Sequence, residues 1–233
     1  MPSIINFIQE VANSNPNNQS IHIRATSPWL NALAAQFPIV NNVILALHSN
    51  NNGERTILRS DVKYSNTAEE KIVRALIWAY PSGMHNHYES DILNRIPDIS
   101  TSLMAIQNAS LSLNDLRQCF TVFINTYGGI GDRTASILFY FFDVKCSIIP
   151  CLAVTEYVIR AFDDIDEFHG LNAHSSYITI ISRISEVANH YKISAEQVEF
   201  FLFKYGKHLT QLDSAAKKAL KKVQKQTIKK NKS

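Results

Sequence analysis

The chain has 233 residues, 45% of them hydrophobic and 18% charged. That length can bury a sizeable core without disulfides or a structural metal, and the composition excludes an intrinsically disordered chain. The formal net charge of +3 is unevenly spread: residues 217–233 hold eight lysines and no acid, leaving 15 basic against 20 acidic residues in positions 1–216, a net of −5.

From the N-terminus, Ile4 to Val11 forms a short amphipathic stretch that runs into NSNPNNQS, a loop by composition. The opening MPSIINFIQEV has no basic region ahead of an apolar one, which points away from secretion. Ser27 as N-cap and Pro28 at the first helical position predict a helix over 27–37. Two readings stay open for the next segment. VILALH (43–48) and RTILRSDV (55–62) flank Asn52-Gly53 as a β-hairpin would, and VNNVILALH also fits a helix.

Thr67 and Glu70 have the spacing of a capping box ahead of KIVRALIWAY. Ile72, Val73, Leu76, Ile77 and Tyr80 recur at helical spacing, and Pro81-Ser82-Gly83 ends the run. Short helices over 89–95 and 98–107 are divided by Pro97. Ser112 and Asp115 cap a helix over 113–126, the glycines of 128–131 break it, and another helix follows over 132–142. Further helices are expected over 152–162, from Ser175 to Lys192, and from a Ser194/Gln197 cap to Gly206. The organisation is an N-terminal part (1–66), helical in part with a β-hairpin as one reading, a helical domain (67–210) and a lysine-rich tail (211–233). Such tails bind phosphate polymers or solubilise chain ends.

The stretch from Leu113 to Asp143 is helix, glycine-rich turn, helix. Gly128, Gly129 and Gly131 permit a tight reversal, and Ile130 between them can plug the turn into the core. The turn opens a helix whose first N–H groups have no partner within it and lie at the positive end of the helix dipole, which suits phosphate.

Other candidates divide between chemistry and packing. His85, His87 and Glu89 are either metal ligands or free loop residues, and no metal site is expected. Trp78 reads as core, Tyr88 as an aromatic able to touch a nucleic acid, and Phe139 to Phe142 as packing. Asp163, Asp164, Asp166 and Glu167 with His169 read as a solvated loop, a poor surface for DNA. Cys119, Cys146 and Cys151 form neither a disulfide framework nor a metal cluster, and point to an intracellular compartment, cytoplasmic, nucleoid or nuclear. No apolar run approaches the ~20 residues of a membrane span, so no membrane partner is expected.

The residues Tyr127-Gly128-Gly129-Ile130-Gly131-Asp132-Arg133-Thr134-Ala135 resemble the helix-hairpin-helix motif. Its usual spelling is leucine, proline, glycine, hydrophobic residue, glycine, two variable residues, threonine, alanine; Gly128 replaces the proline. The continuation SILFYFFDVKCSIIPCLAVTEYVIRAF (136–162) and the closing FFLFKYGKH (200–208) are similar to the helix-hairpin-helix DNA glycosylase superfamily. That resemblance implies a mainly α, DNA-glycosylase-like fold, double-stranded DNA as partner and base excision as chemistry, with the target nucleotide flipped into a pocket. It implies DNA contacts from Gly128, Gly129, Ile130, Gly131, Arg133 and Thr134; Tyr88 and tail residues Lys217, Lys218, Lys221 and Lys222 join these on their own chemistry.

The resemblance also marks departures. Bifunctional members carry a Schiff-base lysine where this chain has Arg133, which stays protonated and cannot attack a sugar. At the catalytic aspartate this chain offers Thr155 or Glu156, so Glu156 is the candidate catalytic carboxylate. The iron–sulfur cluster of some relatives needs four cysteines near the C-terminus, and none follows Cys151, so no cofactor is expected. Two functions follow: a monofunctional N-glycosylase, or a catalytically degenerate module that kept the fold to bind DNA, a nucleoside or a protein.

Overall fold

The computed structural model describes residues 20–23, 28–49, 54–81, 83–84, 88–109, 111–144, 156–162, 164–165, 170–171 and 175–230, with the backbone alone for 20–23, 48, 156 and 220–230. Among these residues the chain forms eleven helices and three short strands. In chain order they are β1 (Ser20–Ile23), α1 (Pro28–Gln36), α2 (Pro38–Ala46), β2 (His48–Ser49), β3 (Arg55–Leu58), α3 (Arg59–Lys63) and α4 (Ala68–Ala79). Then follow α5 (Tyr88–Asn94), α6 (Ile96–Gln107), α7 (Leu113–Thr126), α8 (Asp132–Phe141), α9 (Glu156–Phe162), α10 (Tyr177–Tyr191) and α11 (Ala195–Lys230). The predicted mainly α class holds.

Both readings of 43–62 contribute. Val40, Val43, Ile44 and Leu47 are buried at a spacing of three and four, so VNNVILA closes as helix α2. Only His48 and Ser49 are left to pair with β3, and RTILRSDV is strand for four residues before it turns into α3. No local pattern signals β1, which pairs antiparallel with β3, Ser20 opposite Leu58, in a sheet of order β1-β3-β2. The Asn52-Gly53 tip, Ser27 and the stretch from Ile4 to Val11 lie outside the described residues.

Local capping sets several helix starts. The Thr67 hydroxyl accepts from the Glu70 N–H at 3.1 Å. Ser112 and Asp115 bond reciprocally, at 3.2 Å and 3.0 Å, and the hydroxyl and amide of Ser112 hold the Asp115 carboxyl below its usual range. Ser194 and Gln197 do likewise at 3.1 Å and 2.9 Å. Pro97 does not divide two helices. It occupies the second position of α6, where its missing N–H costs nothing, and the break falls at Arg95.

Gly206 does not end the last helix. The 36 residues of α11 continue through it to Lys230, roughly 54 Å at 1.5 Å per residue. Helix α9 crosses α11 at Gly206, where any Cβ would overlap the Tyr157 carbonyl oxygen. The glycine serves close approach of two backbones, and the predicted tail extends this helix.

Helix α8 runs through the core, buried from Thr134 to Phe141. Phe139 meets Phe120 and Phe123 of α7 edge-on, with centroids 5.3 Å and 5.4 Å apart. At the far end of α8 the core turns polar. Arg59 donates to Glu199 of α11 at 2.6 Å, with side chains 0% and 2% exposed. The guanidinium carbon stands 4.6 Å from the Tyr140 ring centroid and 5.9 Å from that of Trp78. Burial opposes the Arg59 charge, and Glu199, Tyr140 and Glu196 together outweigh it. Beside this pair, Glu196 accepts from Lys63 at 2.6 Å and from the Tyr140 hydroxyl at 2.9 Å. Burial pushes the Glu196 carboxyl up, but Lys63, the Tyr140 hydroxyl and Arg59 together hold it below the usual range.

Removing one partner of the buried pair, by Arg59→Met or Glu199→Leu, lowers stability by about 3–5 kcal/mol, whereas the double substitution recovers most of the loss; denaturant unfolding of the three variants reads this. For Glu196 the sign follows from a lowered folded-state pKa. Its stabilisation is present above the unfolded value of about 4.3 and is lost as pH falls through the folded value. Glu196→Gln is therefore less stable than the parent at pH 7, and the gap closes on acidification below about pH 4.3, measured as melting temperature against pH.

Candidate nucleic-acid interface

Helix α7 ends at Thr126 and α8 begins at Asp132. Between them the Ile130 N–H donates to the Tyr127 carbonyl at 3.2 Å, and Gly129 has φ +85°. That is a type II turn, which demands glycine at its third position and favours proline at its second. Gly129 holds the third position. Gly128 holds the second, and no atom would lie within 4 Å of a Cβ there. The proline of the helix-hairpin-helix spelling and the glycine of this chain therefore suit the same backbone.

The inner side of the hairpin is tied at several points. Ile130 is buried, as expected of a plug. Tyr127 reaches α6, where its hydroxyl donates to the Asp98 carbonyl at 3.0 Å and lies 2.6 Å from Ser102 Oγ. The Thr134 hydroxyl is paired with that of Tyr80 at 2.9 Å. Arg133 turns inward: one Nη donates to the Ala79 carbonyl at 3.3 Å, and Cζ sits 4.8 Å from the Tyr80 ring centroid. Its charge therefore meets the C-terminal, negative end of α4 and the face of an aromatic ring. Tyr88, half exposed, packs on the turn; a Cβ on Gly129 would come within 3.3 Å of Tyr88 Cβ.

The outer side is bare. Gly128, Gly131 and Asp132 are exposed. Gly131 is the N-cap of α8 and offers no side-chain cap. The first amides of α8 thus lack partners within the helix and lie at its positive end. Asp132 adds a carboxylate to this first turn, so an approaching phosphate would meet main-chain donors here, with no cation from the hairpin itself.

Beside the hairpin exit, an open cavity of about 280 Å³ is lined by Arg117, Asn125 and Asp132 together with Ser176 and Tyr177 at the start of α10. Sequence reasoning finds Tyr80 as a helix-face aromatic beside Trp78 and Tyr88 and Tyr127 as the first residue of the motif, without the inward contacts of either. It misses Arg117 and Ser176, which carry no local signal.

The remaining candidates scatter. Glu156 is the first residue of α9; its side chain and Thr155 lie outside the described residues, as do His85, His87, Asp163, Asp166, Glu167, His169, Cys146 and Cys151. Glu89 is 6% exposed and lines a narrow crevice with Trp29, Tyr80 and Met84. Asp164 accepts from the Tyr205 hydroxyl. Burial, with Asp115 adding to it, pushes the Cys119 thiol up, away from a reactive thiolate. Burial holds the Lys71 ammonium below its usual range, with nearby Asp143 opposing; Asp143 follows the C-terminal end of α8, about 15 Å along the helix from the hairpin. Lys217 and Lys218 are exposed on α11, which also carries Lys221 and Lys222. Among the described residues no group of three or more His, Cys, Asp or Glu is placed to hold a metal ion, and no helix is long and apolar enough to cross a membrane.

The turn assignment makes opposite predictions for neighbouring glycines. Gly128→Pro raises stability by about 0.4–1 kcal/mol by restricting the unfolded chain. Gly129→Ala lowers it by about 1–3 kcal/mol through a left-handed backbone and the Tyr88 contact. Thermal unfolding of both variants measures the difference.

Residues 14–203 match the model of one protein family, described as "Putative 8-oxoguanine DNA glycosylase OGG-like protein". Comparison with curated proteins and with solved structures gave no match. The family match covers the sheet, the hairpin and the start of α11, including both members of the buried Arg59–Glu199 pair, and by it this chain belongs to the OGG-like glycosylase family.

Proposed function

We propose that this protein is a DNA glycosylase that excises a damaged base from duplex DNA by hydrolysis, with no Schiff-base lyase step. The observation that carries the reading is the two-sided hairpin. Its outward amides suit a DNA backbone, while the side chain in the position of the superfamily's nucleophilic lysine is an arginine already engaged by Ala79 and Tyr80. Family membership supports the substrate class, and the printed family description makes 8-oxoguanine the first lesion to try.

In this reading the hairpin amides hold a phosphate next to the lesion without reading sequence. The nucleotide leaves the stack so that protein groups reach its sugar. The bond between the anomeric carbon and the base breaks, its electron pair leaves with the base, and positive charge develops on the sugar. Glu156, at the N-terminus of α9, is the proposed carboxylate beside that charge. It accepts a proton from the water that adds to the anomeric carbon, and that proton passes on to the departing base, which returns Glu156 to its carboxylate form. The product is an abasic site with both strands intact. Arg133 remains protonated throughout and cannot form an imine with the sugar. The proposed setting is a reducing intracellular compartment.

Arg133 also favours a second reading, a binding-only module that has lost base excision. One assay decides. A labelled duplex with 8-oxoguanine opposite cytosine, and parallel duplexes with uracil or an alkylated purine, are incubated with the full chain and split. Strand breakage only after hot alkali is expected, with no adduct trapped by borohydride, and Glu156→Gln lowers base release by about 10²–10⁴-fold. Breakage without alkali together with a trapped adduct refutes the Arg133 argument. Tight duplex binding with no base loss from any lesion selects the binding-only reading.

A further inference from the structure

The hairpin supplies donors but no outward cation, yet protein affinity for DNA depends largely on cations that neutralise phosphates and release counterions. Arg117 of α7, beside Asp132, brings one cation close to the hairpin, and the rest of the charge has to come from elsewhere. Helix α11 carries it in an ordered way. Lys207, Lys218, Lys221, Lys225 and Lys229, with Gln211 and Ser214 filling the interval, recur at spacings of four, three, four, three, four and four residues. At 3.6 residues per turn these positions share one face of the helix over about 33 Å, close to one turn of B-form DNA. Lys217 lies roughly 90° from that row, and Lys230 lies further round.

The row begins in a groove. Helices α9 and α11, brought together at Gly206, leave an open cavity of about 320 Å³ lined by Tyr157, Lys207, Thr210, Gln211, Ser214 and Lys218. Lysines, hydroxyls and amides with one aromatic ring form the surface that tracks a phosphodiester backbone. The single acid of α11 beyond Glu199 is Asp213, and Arg160 of α9 neutralises it at 3.1 Å. No uncompensated negative charge of α11 faces the row.

We infer that the α9–α11 groove and the lysine row of α11 form a second DNA-backbone track, separate from the hairpin and aligned by helical register. This inference rests on the proposed action on DNA. A membrane surface fits the same lysines less well. An interfacial helix sets large apolar residues opposite its charges. The opposite face here interrupts Leu209, Leu212, Leu220 and Val223 with Ala216, Ala219, Thr227 and Lys230, and the first turns of α11 are embedded in the core through Val198, Phe201 and Leu202.

The test compares equal charge losses on two faces. Anisotropy of an undamaged 25-base-pair duplex is titrated with the full chain between 50 and 200 mM salt. Lys218→Gln with Lys225→Gln removes two row charges; Lys217→Gln with Lys230→Gln removes two that are off the row. The row pair flattens the slope of log affinity against log salt by about 1.8, and weakens binding about tenfold or more at 100 mM. The off-row pair changes the slope by less than half as much. Equal changes in the two variants, or none, overturn the track. So does loss of binding to vesicles of anionic phospholipid by the row pair while its duplex affinity stays intact. Gly131→Val, which obstructs the bare hairpin amides, separates the two ideas. Duplex affinity lost in this variant but kept in the row pair removes the track alone. A parent chain with no duplex affinity removes both the track and the proposed function.

Discussion

The Arg59–Glu199 pair is the constraint on which the architecture turns. Two charges separated by 140 positions in the chain meet with almost no solvent contact. Burying them is expensive, and their attraction offsets the cost only with good geometry and satisfied hydrogen bonds. The aromatic faces of Trp78 and Tyr140 supply part of that environment. An apolar pair of similar volume would serve stability at least as well. A charged pair adds a single permitted register: sliding α11 by one residue along α3 would leave a guanidinium and a carboxylate both buried and unpaired. Lys63 and Glu196, one helical turn away on each element, repeat the constraint nearer the surface.

The hairpin obeys a different rule, with one side fixed and the other unfinished. Tyr127, Ile130, Thr134 and Arg133 each bind inward, to α6, the core and the end of α4. These are side-chain attachments. The main chain that faces outward is held by them and stays available. A site made of backbone amides needs this division, because amides have no rotamers to adjust and must be placed by the groups behind them. It also sets what Arg133 does: its charge serves the Tyr80 face and the C-terminal end of α4, on the inner side of the turn.

What could be read from the sequence was what is decided within a few residues. Thr67, Ser112 and Ser194 announce their helices because a cap reaches only three positions. Gly129 and Ile130 announce a turn and its plug for the same reason. Errors fall where a residue answers to something distant. Gly206 has the look of a helix stop, and only the crossing of α9 shows that it makes room for the Tyr157 carbonyl. Pro97 reads as a divider because the helix it opens starts one residue before it. Arg59 sits in an ordinary-looking RSDVK, with nothing local to signal a partner on the last helix. Strand β1 escaped notice because two of its four residues are polar and its pairing partner lies more than thirty positions on.

Helix α11 joins these levels. Its first turns carry Glu196 and Glu199 into the core, Gly206 admits α9, and the lysines begin where packing ends. Beyond that point like charges three and four residues apart repel, each pair costing about 0.2–0.5 kcal/mol of helix stability. Most helical stability in a protein comes from tertiary packing, so the lysine half depends on a start fixed by the core. A polyanion laid along the row would remove the repulsion that opposes the helix, and binding and helix formation would then favour each other. In the proposed track the buried pair at one end and the lysine row at the other are parts of one device. The first sets the rotation of α11 about its own axis, and that rotation decides which lysines share a face with Lys207 and the Tyr157 groove.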